Sequence, residues 1–82
     1  MREKTTAALE ELGFDVMPSQ TNFIFARPTR LTAEEWCQQL RERDIVTRWF
    51  DAFRVRNRLR ITIGTETEMS KFLDATRSIF ER

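Results

Sequence analysis

The sequence predicts an α+β fold, a small and mostly antiparallel sheet with helices packed on one face. Three observations carry that expectation. Two capping boxes, Thr32-Ala33-Glu34-Glu35 and Thr65-Glu66-Thr67-Glu68, each open a run with apolar residues at helical spacing. The extended apolar runs come in neighbouring pairs, one pair on each side of the middle helix. The chain has 82 residues, 40% of them apolar and 33% charged, which is enough for one modest core. A chain of that size buries roughly 60 to 65% of its unfolded surface. Only two Gly and two Pro are present, and no repeat, low-complexity stretch or interior linker divides the chain.

The elements follow in order. A first helix runs from about Arg2 to Leu12, with Ala8, Leu9 and Leu12 on its apolar stripe. Gly13 stands where a helix end favours positive φ, and Phe14 can fold back on the last turn. Phe14-Asp15-Val16-Met17 is a short extended piece that meets Pro18, and Pro18-Ser19-Gln20 reads as a loop. Asn22 to Arg27 is a strand whose four successive apolar positions predict burial on both faces, and Pro28 ends it. The Thr32 box opens a second helix striped by Ala33, Trp36, Cys37 and Leu40 and ending near Asp44. Ile45 to Phe50 and Leu59 to Ile63 are two more extended runs, joined by a polar, Arg-rich segment that reads as a hairpin loop. The Thr65 box opens the last helix, where Met69, Phe72, Leu73, Thr76, Ile79 and Phe80 form the clearest stripe in the chain.

Composition closes several functional routes. With no His and a single Cys, neither a Ser-His-Asp triad, nor a His proton shuttle, nor an ordinary Cys/His zinc site can be assembled from this chain, and no disulfide can form within it. No apolar run approaches the roughly 18 residues of a membrane span, and the N-terminus lacks the apolar stretch of a signal peptide. The expectation is a soluble, cytoplasmic protein.

The net charge of +1 hides a local excess. Between Arg48 and Arg60 lie Arg48, Arg54, Arg56, Arg58 and Arg60 against the single acid Asp51, a net +4. In Leu59-Arg60-Ile61-Thr62-Ile63, alternation puts the three apolar residues on one face and Arg60 on the other. A guanidinium fixed on a strand offers a planar donor fork to a carboxylate or phosphate. An exposed cross-strand ion pair is the plain alternative. Arg48 shares a face with Val46 and Phe50, and if the two strands pair, Arg48 and Arg60 converge on one anion. The sequence does not give the register. Arg54 and Arg56 read as solvated loop arginines. Both helix N-termini are occupied by their own Glu side chains, which argues against phosphate binding there, and Cys37 reads as a small core residue. Trp49, Phe50 and Phe53 predict an exposed aromatic patch, and hence an interface.

The strings Pro18-Ser19-Gln20-Thr21-Asn22-Phe23-Ile24, Ile45-Val46-Thr47-Arg48-Trp49-Phe50 and Leu59-Arg60-Ile61-Thr62-Ile63-Gly64-Thr65, followed by Glu68, resemble a known family in order and spacing. That family is the histidinol-phosphate aminotransferases, and the match is to their C-terminal small domain. They are class I/II, fold-type I enzymes that use pyridoxal phosphate. The likeness runs from Leu9 to the end. It implies that residues 1–82 are a C-terminal domain fragment, with the cofactor-binding large domain absent. It also implies that the parent exchanges an amino group between glutamate and imidazole-acetol phosphate, with 2-oxoglutarate and histidinol phosphate as the other partners, in histidine biosynthesis. The arginine matching Arg60 would take the carboxylate of one substrate and the phosphate of the other, Arg48 would assist with the phosphate, and Asn22 matches an Asn-Phe pair at the edge of the site.

The parent would be a homodimer with an interface to the large domain that this chain leaves uncovered. The cofactor lysine would lie outside the chain, since Lys4 and Lys71 sit in helical contexts unlike it, so this segment alone should be inactive and hold no cofactor. Asp44 departs from the family, which commonly has Gly there; the residue ends a helix, where Asp accepts the left-handed conformation less readily. Three other readings stay open: another class I/II aminotransferase or a threonine-phosphate decarboxylase, a nucleic-acid module using Arg54, Arg56, Arg58 and Arg60 beside the aromatics, and a stand-alone oligomerisation domain.

Overall fold

The computed structural model describes residues 2–17 and 22–81. The expected loop Pro18-Ser19-Gln20 lies outside the described residues. Helices α1 (Arg2–Glu11), α2 (Ala33–Glu42) and α3 (Glu66–Phe80) accompany strands β1 (Asp15–Met17), β2 (Phe23–Arg27), β3 (Arg48–Trp49) and β4 (Leu59–Thr62). The strands form one sheet in the order β1-β2-β4-β3, antiparallel at every pairing. This is the expected α+β architecture.

Local chemistry sets the helix ends. Gly13 takes φ 89°, so its N–H bonds the Glu10 carbonyl at 2.9 Å and the Phe14 N–H bonds the Leu9 carbonyl at 3.1 Å. These two bonds make a Schellman motif and turn Phe14 back onto the core, where its ring meets Phe80 at 4.7 Å and Trp36 at 5.1 Å. Both capping boxes are closed. Thr32 Oγ1 accepts from the Glu35 N–H at 3.1 Å while Glu35 Oε1 accepts from the Thr32 N–H at 2.9 Å, and Thr65 and Glu68 repeat the pattern at 3.2 and 2.8 Å. At Gly64 a Cβ would stand 2.5 Å from Glu68 Oε1, so a larger residue there would displace the carboxylate that closes the second box.

One core holds the layers together. Val16, Ile24, Ala26, Leu59 and Ile61 from the sheet meet Leu9, Trp36, Leu40, Phe72 and Phe80 from the helices. Trp36 is fully buried, and its indole N–H donates to Thr76 Oγ1 at 3.2 Å, so the last helix supplies the partner that a buried indole needs. Cys37 is a buried core residue, as expected, with its Sγ 3.5 Å from Thr47 Oγ1.

Three expectations are corrected. Strand β2 is not buried on both faces: Ile24 and Ala26 are buried, while Phe23 and Phe25 are half-buried on a face that no helix among the described residues covers. The run Ile45 to Phe50 yields only a two-residue strand. The Ile45 N–H completes the end of α2 by bonding the Leu40 carbonyl, and Thr47 turns inward to Cys37, so neither joins the ladder. On α1 the core stripe includes Thr5, which the sequence reading passed over: Thr5 and Leu9 are buried, Leu12 just past the helix packs half-buried against the core, and Ala8 is half-buried.

Candidate anion-binding face

Burial alternates along β4: Leu59 and Ile61 anchor it in the core, and Arg60 projects from the opposite face. The ladder supplies the register that the sequence withheld. Arg60 pairs with Phe25 on β2 and with Arg48 on β3. Residues so paired have Cβ atoms roughly 4.5 to 5.5 Å apart, and like charges directly opposite repel. The ladder therefore sets Arg48 directly opposite Arg60, the register that the expected convergence requires.

The acids do not relieve that repulsion. Asp15, on the same face at the start of β1, is taken by other arginines: Arg58 Nη2 meets its Oδ2 at 2.7 Å, Arg58 Nη1 donates to its backbone carbonyl at 3.0 Å, and Arg27 stands 3.8 Å away. Among the described residues, no carboxylate forms an ion pair with Arg48 or Arg60. The plain alternative, an exposed cross-strand ion pair, fits Arg58 and not Arg60.

Arg60 is instead held between rings. Its Cζ lies 4.9 Å from the Phe23 ring centroid and 5.2 Å from that of Phe50, and its Nε is buried with no hydrogen-bond partner among the described residues. Phe23 in turn packs edge-on against Phe25 at 5.6 Å. Sequence reasoning missed Phe23; its alternation with Phe25 shows the pattern, but only the register puts both beside Arg60.

The remaining candidates disperse. Of the predicted aromatic patch, Phe50 and Phe53 are exposed, at 37% and 86%, the first against Arg60 and the second under the Arg56 guanidinium, while Trp49 is half-buried with its Nε1 donating to the Arg56 carbonyl at 2.7 Å. Asn22 is exposed at the end of β2, where its carbonyl accepts from the Ile63 N–H at 2.6 Å; alternation places it with Ile24, on the face away from Arg60. Among the described residues no three ligating side chains gather into a metal site. Two clefts, of ≈ 540 and ≈ 520 Å³, are lined by neither Arg48 nor Arg60.

Residues 1–75 match the family described as Aminotransferase class I and II. The chain belongs to the class I and II aminotransferases. Among relatives, the histidinol-phosphate aminotransferase of Clostridium acetobutylicum is 44% identical over 73 residues, covering 89% of this chain and 21% of that protein. Histidinol-phosphate aminotransferase 2 of Dechloromonas aromatica is 47% identical over 78 residues, covering 95% of this chain and 22% of that protein. This chain thus spans about a fifth of the length of the curated relatives it matches. Among solved structures, an Erwinia carotovora atroseptica protein provisionally described as a histidinol-phosphate aminotransferase superposes with a TM-score of 0.83 at 26% identity, covering 98% of this chain and 22% of that one. The L-threonine-O-3-phosphate decarboxylase of Porphyromonas gingivalis gives 0.74 at 27% identity, covering 99% and 27%.

The family implies pyridoxal phosphate in the full-length enzyme. The described residues do not fit a site for it. Lys4 and Lys71 are exposed on α1 and α3, the helices that cover the face of the sheet opposite Arg60, so neither stands beside the candidate anion-binding face.

Proposed function

We propose that residues 1–82 are the C-terminal small domain of a histidinol-phosphate aminotransferase, whose part is to hold the anionic end of each substrate. Arg60 takes the carboxylate of glutamate or 2-oxoglutarate and, in the other half-reaction, the phosphate of histidinol phosphate. Arg48 adds charge where the ligand is a phosphate, since a dianion uses a second guanidinium better than a monoanion does. Asn22 belongs to the edge of the site, on the strength of the family likeness. The amino-transfer chemistry lies outside these residues. The observation that carries this reading is the ladder pairing of Arg48 with Arg60, unrelieved by any acid among the described residues. The relatives named above support the choice of substrate. We place the enzyme in histidine biosynthesis, as a cytoplasmic homodimer whose large domain faces the uncovered side of the sheet.

In the full-length enzyme, Arg60→Ala is expected to lower kcat/KM for glutamate and for histidinol phosphate by about two to three orders of magnitude, as loss of one partner of a desolvated charge pair does. Arg48→Ala should cost histidinol phosphate about tenfold and glutamate less. Near-normal values for Arg60→Ala with both substrates would show that another group binds them. The coding sequence upstream of Met1 is expected to carry the cofactor lysine. The resemblance to the Porphyromonas gingivalis decarboxylase gives a second reading, which release of CO2 from L-threonine-O-3-phosphate would establish.

A further inference from the structure

We infer that Phe23 and Phe50 are positioning residues for Arg60: together they clamp its guanidinium so that an anion is received end-on, through the two Nη groups. The inference rests on the substrate-binding role proposed for Arg60. Guanidinium carbon and ring centroids lie 4.9 and 5.2 Å apart, inside the roughly 6 Å reach of a cation–π contact on both sides. The two rings come from opposite neighbours of β4. Phe23 is on β2, opposite Thr62, and Phe50 follows Trp49 at the end of β3. Phe25, edge-on to Phe23 at 88°, backs the first ring.

The decisive atom is Nε. A guanidinium can grip a carboxylate or phosphate either side-on, through Nε and one Nη, or end-on, through both Nη. Here Nε is buried and bonded to nothing among the described residues, so the side-on grip is closed. A buried donor without a partner is unfavourable, and it persists because the surrounding packing fixes the side chain. The clamp thus gives up one hydrogen bond and in return fixes the plane in which the other donors meet the ligand. Loss of a ring leaves the charge intact but frees the plane.

Hydrogen exchange tests the clamp in this chain without reference to activity. The Arg60 Nε–H, followed by NMR, is expected to exchange at least tenfold more slowly than the Nε–H of Arg54, which is exposed in the loop. In Phe50→Leu it should approach the Arg54 rate while the amide protection of Ile24 and Ile61 stays unchanged; an unaltered Arg60 rate overturns the clamp. Kinetics of the full-length enzyme test the positioning. Phe50→Leu and Phe23→Leu should raise KM for glutamate about tenfold with kcat within twofold, and Phe50→Tyr should restore it. If Arg60→Ala is severely impaired but both Leu variants keep normal KM, positioning by the rings is refuted and the role of Arg60 stands. If Arg60→Ala itself is near normal, the functional reading falls and this inference falls with it.

Discussion

Arg58 and Arg60 lie two positions apart and share one face, yet they have opposite surroundings. Arg58 precedes the strand and reaches over β2 to Asp15, while Arg60 is flanked by Phe23 and Phe50 and left without an acid among the described residues. The first arrangement is an ion pair within the sheet, and the second is a guanidinium packed against rings with no acid partner among the described residues. The type and face of these residues are legible in the alternation of Leu59 to Ile63; which arginine Asp15 takes is not, because that depends on three strands lying side by side. Glu68 shows a residue-scale effect open to titration. The Thr65 backbone N–H, then its hydroxyl, hold the Glu68 carboxyl below its ordinary value of 4.5. A depressed pKa stabilises the fold fully above pH 4.5, and the contribution is lost as pH falls through the lowered value. NMR titration should give a Glu68 midpoint below 4.5, and Thr65→Ala should move it back toward that value.

At the level of elements, α1 and α2 end by the same device with different residues. The Asp44 N–H bonds the Arg41 carbonyl and the Ile45 N–H bonds the Leu40 carbonyl, repeating the pair made by Gly13 and Phe14. Asp44 adopts φ 62° to do so, in the region where a Cβ meets the neighbouring carbonyl. The expectation that Asp is disfavoured at this cap therefore has a structural basis. Asp44→Gly is expected to raise stability by about 0.5 to 1 kcal/mol, a gain of roughly 2 to 8 °C in Tm for a chain of this length, read by thermal unfolding. A lowered Tm would show that the Asp side chain contributes a bond worth more than the strain. The helices were legible because their signals are local: capping boxes, a terminal glycine and spacing. The strands were legible in position but not in extent. Ile45 to Thr47 have strand composition, yet the end of α2 and the Cys37 contact claim them first.

Across the whole molecule, a single aromatic cluster carries much of the stability. Trp36 touches Phe14, Phe72 and Phe80 and joins α2 to α3 through Thr76. A domain of this size has on the order of 4 to 12 kcal/mol in total, and truncating a buried tryptophan to alanine costs about 3 to 5. Trp36→Ala should accordingly abolish most of the cooperative urea transition followed by circular dichroism; retention of a wild-type midpoint would mean the core closes over the gap. The uncovered face of the sheet explains why β2 looked doubly buried in sequence. Four apolar residues in succession are written for two layers, and the described residues place helices over one of them only. The amino-acid sequence by itself determined the class of fold, the three helices with their caps, and the arginines that carry the charge, because each follows from period, spacing and local hydrogen bonding. Only the tertiary structure decided the strand register, and with it that Arg48 faces Arg60, that Asp15 belongs to Arg58, and that two phenylalanines enclose the guanidinium. Those are relations between residues far apart in the chain, set by which ladder closes over a shared core.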